Sequence, residues 1–320
     1  MQAAPEPDSS ARAPSQPWLR HARTLATLLV LAALCALGLR HAGDLDRLAS
    51  ARLLPVAAMA ACVLGVRALH SEIIRRTLAE LGHPLPAFEV FGLSMLAAVP
   101  NLLLPRTGFG ALGVALRTRH RVPLAISASL VLPLAVLDLI VVTAAGLAVQ
   151  AAAFGFAQPH APLVGATFAA VLLATCASLS LRVRVRIPFA PARVQSFLER
   201  LGAAWTQLRA SRGFVLRACA LLVAISALRV LRLWLAFRAL DFSPDFAGLV
   251  VASLLGDVMF LFALTPGALG LREAAIVYCA GLAGVTQGAS LAAAVLDRLV
   301  LLGVVLAAAQ LSAWKLFRRA

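Results

Sequence analysis

Residues 264–273 read LTPGALGLRE, and an earlier stretch, residues 101–110, reads NLLLPRTGFG. Both lie inside long apolar regions, 246–287 and 87–120, and each sets a proline ahead of glycine. Proline removes a backbone donor and glycine permits positive φ, so each stretch predicts a broken helix with freed amides and carbonyls. An acid follows each break inside the next apolar run. Asp138 comes 33 residues after Pro105, and Asp297 comes 31 residues after Pro266. That shared spacing argues for an internal duplication.

The surroundings of the two breaks identify the solvent. Hydrophobic residues make up 61% of the 320 and charged residues 13%, with a mean hydropathy of +0.90. A soluble domain has a very different balance. Further apolar runs at 24–40, 53–69, 122–149, 161–181, 213–238 and 288–313 approach the roughly 20 residues that cross a bilayer. Together with the two broken regions they predict an all-α polytopic membrane bundle of about 6–8 transmembrane helices. The expected organisation is one membrane domain over 24–315 behind a Pro-, Ser- and Ala-rich disordered tail, 1–23. Arg40 and His41 follow the first apolar run where a small-residue cleavage site would stand, which favours an uncleaved anchor.

Charge assigns the sides. Segment 182–212 carries seven arginines, from Arg182 to Arg212, against the single acid Glu199. Basic loops resist translocation, so this loop is expected to be cytoplasmic. Counting spans outward from it puts both termini in the cytoplasm of an inner, plasma membrane. Region 87–120 must then begin and end inside, and region 246–287 must begin and end outside. Each is expected to be a re-entrant hairpin, the two entering from opposite sides as inverted repeats at about 87–149 and 246–313. The other reading is two ordinary spans and one loop that breaks the charge rule. Within 182–212, Val194, Phe197, Leu198, Leu201, Trp205 and Leu208 recur at helical spacing. They predict an amphipathic helix, lying on anionic inner-leaflet lipid through Arg182 to Arg212 or packed on the end of the bundle.

Several function classes lose support. The formal charge of +15 is a topology signal, with no basic patch on a soluble fold to meet nucleic acid. Gly108-Phe-Gly110-Ala-Leu-Gly113 matches a dinucleotide fingerprint, but no βαβ unit surrounds it. The five cysteines stand singly in apolar runs and read as packing. The six histidines, His70 among them, read as polar residues of tails and membrane edges, with no metal-ligand spacing and no cofactor implied. Asp44-Leu-Asp46 leaves one enzymatic rival, a polytopic glycosyltransferase that uses a lipid-linked sugar and a divalent metal.

The two motifs bring a resemblance into view. Asn101-Leu-Leu-Leu-Pro105 is similar to the first Asn/Pro motif of the flippase region of lysylphosphatidylglycerol synthases and related flippase-like membrane proteins. Pro266-Gly267-Ala-Leu-Gly270-Leu-Arg272-Glu273 resembles that family's second motif. Asp138 and the Asp297-Arg298 pair resemble its acidic and Arg-Asp positions, and Arg117-Thr-Arg119-His120 resembles its basic connector. The first copy departs at Gly108-Phe109, where the family shows Gly-Glu. The resemblance spans about 24–315 and extends to hopanoid-cluster membrane proteins. It implies lipid handling without the synthase's aminoacyl transfer, so no enzymatic activity is expected.

An ionised side chain at mid-bilayer costs about 3 kcal/mol on insertion scales, so such groups should face the interior and pair. Asp138, Asp257, Glu273 and Asp297 qualify, with Arg229, Arg232, Arg272 and Arg298 as partners. Arg106 or Arg272 beside a restarting helix suits phosphate. The expected function is a lipid transporter or flippase-like protein for an anionic or amphiphilic headgroup. Its candidate residues are Asn101, Pro105, Arg106, Gly108, Asp138, Asp257, Pro266, Gly267, Gly270, Arg272, Glu273, Asp297 and Arg298. The alternative is a non-transporting membrane partner of a lipid-modifying enzyme.

Overall fold

A computed structural model describes residues 48, 50–103, 107–155, 161–180, 203, 206–208, 210–259 and 270–318. These residues are mainly helical, with no strand among them. The helices in chain order are α1 Leu53–Glu80, α2 Ala87–Leu103, α3 Thr107–His120, α4 Leu124–Ala153 and α5 Ala161–Ser180. They continue with α6 Arg212–Ala239, α7 Phe246–Met259, α8 Leu271–Tyr278 with a 3-10 turn Cys279–Gly281, and α9 Gln287–Phe317. Long apolar segments within α1, α4, α6 and α9 could each cross a membrane. The run 24–40, the tail and nearly all of 182–212 lie outside the described residues.

The predicted hairpins are visible in contacts between their ends. In the first, α2 and α3 pack together, and Glu89 near the start of α2 lies 3.2 Å from His120 at the end of α3. In the second, the Asp245 amide just before α7 donates to the Ala283 carbonyl just after the 3-10 turn, at 2.7 Å. Each broken region therefore leaves the bundle at the end where it entered.

The two hairpins open toward opposite ends. Helices α1 and α6 are antiparallel: the Arg52 amide donates to the Ala239 carbonyl at 3.0 Å, and the Arg52 guanidinium pairs with Asp241 at 2.6 Å. At their other ends, Ile73, Ala79, Phe214 and Ala218 line one groove. Hairpin α2–α3 follows the end of α1 and hairpin α7–α8 follows the end of α6, so they enter from opposite poles. Packing is reciprocal as well. Val63, Ala98 and Val305 join α1, α2 and α9, while Val142 of α4 packs with Val251 and Leu255 of α7. Each first limb thus rests on the closing span of the other half. A long helix of 28 residues precedes each hairpin, α1 before the first and α6 before the second.

Solvent explains which faces are bare. Ala292, Ala293 and Ala294 are wholly buried, so small side chains let neighbouring helices approach α9 from several sides. Leu173, Leu216 and Leu311 stand at least 62% exposed, a distribution suited to contact with lipid tails. One boundary differs from expectation. The run 53–69 belongs to a helix that continues to Glu80, because Arg75 and Arg76 both close on Glu72 along its surface, at 2.7 and 2.6 Å. Charge alone therefore does not end it, and His70 is a mid-bundle residue instead of a loop histidine.

Candidate functional site

The site starts from the two breaks. At the first, the Asn101 side-chain oxygen accepts from the Gly108 amide at 2.8 Å, and Thr107 Oγ1 donates to the Pro100 carbonyl at 2.8 Å. A Cβ on Gly108 would collide with the Ala97 carbonyl and Asn101, so only glycine lets the limbs approach this closely. At the second break, Gly270 holds φ at +88°, a region L side chains rarely adopt. Its amide is taken by the Glu273 carboxylate at 2.7 Å. The expectation that freed amides receive the ligand needs correction at these positions. Gly108 N and Gly270 N are already satisfied by Asn101 and Glu273, as buried donors generally are. Pro105, Arg106, Pro266 and Gly267 lie outside the described residues.

Behind the second break lies a sealed charge cluster. Arg232 of α6 donates to both oxygens of Asp297 at 2.6 and 3.1 Å, and Arg272 of α8 adds a third bond at 2.8 Å. Asp297 is 0% exposed and Arg272 2%. Arg298 is also buried, with Glu273 the largest carboxylate influence on it. A carboxylate with two guanidinium partners and no access to solvent ties α6, α8 and α9 together. Arg272, Glu273, Asp297 and Arg298, singled out above as headgroup ligands, are thus brought into one place, but it is an enclosed one.

A second cluster sits where the halves meet, and it is more open. Arg229 of α6 lies 3.2 Å from Asp257 of α7 and 3.5 Å from Asp138 of α4, so one guanidinium spans a carboxylate from each half. These contacts are long for charge-assisted bonds. The Asp138 side chain is 26% exposed, while its other oxygen, Oδ1, is buried with no hydrogen-bond partner among the described residues. From α1, His70 Nε2 approaches Arg229 Nη2 at 3.1 Å. A guanidinium can only donate, so Nε2 accepts and the neutral ring's proton belongs on Nδ1. Arg67, one turn earlier on α1, is affected by Arg229 and Arg232, both cations.

Sequence reasoning found Asp138 and Asp257 but missed the parts played by His70 and Arg67. Their signal was available: a cation and an imidazole three residues apart share one helical face. Most of the cytoplasmic amphipathic stripe lies outside the described residues. Its last member, Leu208, is buried with Phe214 and Ala218, and the neighbouring Gln207 Nε2 donates to the Glu80 carbonyl at 2.7 Å. This end of the stripe packs on the bundle.

Comparison with known proteins adds one strong finding. No curated protein matches the chain. The lysylphosphatidylglycerol synthase TM region, as a family, matches residues 22–309, which takes in every described helix through most of α9. The chain is a multi-pass membrane protein and belongs to the family of the lysylphosphatidylglycerol synthase transmembrane region.

Proposed function

We propose that this protein is a lipid transporter of flippase type, acting in the plasma membrane on an anionic or amphiphilic headgroup and catalysing no bond chemistry. The observation that carries this reading is Arg229 between Asp138 and Asp257. One cation holds a carboxylate from each half through two long contacts, at a place less enclosed than the Asp297 cluster. A headgroup phosphate competing for Arg229 would loosen both carboxylates together and free one half to rock against the other. The acyl chains would stay in the bilayer while the headgroup crosses between the hairpins. The sealed Asp297 cluster would keep α6, α8 and α9 moving as one body.

The test is translocation of headgroup-labelled lipid in proteoliposomes, with phosphatidylglycerol, an aminoacylated phosphatidylglycerol, undecaprenyl phosphate and a hopanoid compared. Headgroup-selective transfer by the wild type that falls to the rate of empty vesicles in Arg229→Leu supports the transporter. Wild type no faster than empty vesicles rejects it and favours a partner subunit of a lipid-modifying enzyme.

A further inference from the structure

Among the described residues, Arg229 is the one group that bonds to Asp138. Asp138 Oδ2 lies 3.5 Å from Arg229 Nη1, and Oδ1 is buried with no hydrogen-bond partner. Asp257 takes the same nitrogen at 3.2 Å, so two carboxyl groups draw on one guanidinium. Neither contact reaches the roughly 2.7–2.9 Å of a full charge-assisted bond. Asp297 differs on each count, with two arginines of its own at 2.6 and 2.8 Å.

The elements packed on α4 hold no second cation at this carboxyl. Helix α5 carries no charged side chain, and the charges of α3, Arg117, Arg119 and His120, stand in its last turn beside the start of α4. On α7 the charged residue is Asp257 itself. On α6, Arg232 is committed to both oxygens of Asp297. Helix α1 brings His70, whose Nε2 accepts from Arg229, and Arg67, a cation that acts on His70. An anion that draws Arg229 away therefore strands Asp138 beside Asp257. Two carboxylates at one water-poor place do not both stay ionised, and one of them takes a proton. Solvent reaches Asp138 more readily: its side chain is 26% exposed, against 9% for Asp257.

We infer that Asp138 is a proton site that loads when an anion takes Arg229, so that one proton travels with each anionic headgroup. The proton comes from water that reaches the Asp138 side chain and adds to the carboxyl at Oδ1. It leaves when Arg229 returns to its two carboxylates, and no bond other than this O–H forms or breaks. A headgroup with one negative charge and its proton together add no net charge to the interior. The inference rests on the transporter reading for the anion that draws Arg229 away, whereas the proton site can be tested without any lipid.

Removing the guanidinium imitates the ligand. Infrared spectra of purified protein in dodecyl maltoside at neutral pH, each compared with its Asp138→Asn counterpart, isolate the stretch of a protonated Asp138 carboxyl. Wild type should lack this band and Arg229→Gln should show it. Arg229→Leu is the second background should the first not fold. A band already present in wild type, absent from both Arg229 variants, or removed by Asp257→Asn in place of Asp138→Asn overturns the inference.

The second measurement keeps the native chain. In proteoliposomes holding a pH difference of about one unit, whichever anionic lipid wild type moves should gather on the alkaline side, by up to about tenfold for one coupled proton. Asp138→Asn should abolish the bias. Wild-type transfer that ignores the pH difference overturns the coupling and leaves the transporter reading in place. A bias that survives Asp138→Asn but disappears in His70→Gln moves the proton to His70 and overturns the assignment. If Asp138 loads in the Arg229 variants while wild type moves no lipid, the proton site stands and the transporter reading falls, taking the coupling with it.

Discussion

Asn101 and Glu273 do the same work in opposite halves: each uses a side-chain oxygen to hold a backbone amide at a helix break, Gly108 N at 2.8 Å and Gly270 N at 2.7 Å. The residues differ because the surroundings do. Glu273 sits 4% exposed within the field of Arg272 and Arg298, where a carboxylate has cationic company. Asn101 has no described cation bonded to it, and a neutral amide needs none. Removing either acceptor would orphan an amide away from water at about 1–3 kcal/mol. Asn101→Ala and Glu273→Ala are therefore both expected to lower the unfolding temperature, whereas Glu273→Gln, which keeps an acceptor oxygen, should lower it less. Thermal unfolding in detergent reads the difference, and an Asn101→Ala protein as stable as wild type would refute the clamp.

The Asp297 cluster predicts a different pattern. Asp297→Asn leaves Arg232 and Arg272 buried without a counter-charge, a loss of about 3–5 kcal/mol for a broken buried pair. Little monodisperse protein should be recovered on size exclusion. Replacing all three groups by apolar side chains of similar volume removes the charges together, and Arg232→Met, Arg272→Met, Asp297→Leu should recover better than Asp297→Asn alone. The opposite ranking would mean that the cluster does more than tie helices.

Arg229 should separate folding from transport. Its contacts are longer than those of Asp297 and its side chain is 17% exposed, so Arg229→Lys is expected to fold. Lysine keeps the charge but loses the planar fork that reaches two carboxylates at once. Headgroup transfer should fall at least about tenfold, equivalent to about 1.4 kcal/mol, with expression unchanged. Equal transfer by both proteins would show that the bridge between halves plays no part.

What was legible in the sequence was what local chemistry writes. Pro105 and Pro266 with the nearby glycines disfavour a continuous helix, so the breaks could be read, although Pro100 and Pro133 are carried inside α2 and α4, and loop charge gave hairpins that begin and end on one side. Arg67 and His70 were not legible as a site because their meaning depends on α6 crossing α1 in antiparallel register. Charged residues at 67, 72, 75 and 76 also make the end of α1 look like a loop. Only the closure of Arg75 and Arg76 on Glu72 shows that the helix runs on. The enclosure of Arg272 and Asp297 was hidden for a related reason: composition marks a charge at depth but does not say whether the cavity or the packing holds it.

The hairpins make a prediction about sides that does not depend on any lipid. Pro84 before α2 and Arg121 after α3 are both exposed near the end of the bundle where Glu89 meets His120. Ser243 before α7 and Gln287 at the start of α9 are exposed near the opposite end, where Asp245 meets Ala283. Single cysteines at these four positions, on a background stripped of the five native cysteines, should react with an impermeant maleimide in two pairs. Pro84→Cys and Arg121→Cys should label only from the face that carries the basic segment, and Ser243→Cys and Gln287→Cys only from the other. A full crossing by 87–120 would split the first pair across the membrane, and a full crossing by 246–287 would split the second. Either split would break the pseudo-twofold relation that brings Asp138 and Asp257 to the same guanidinium, and with it the reason for the two halves to move against each other.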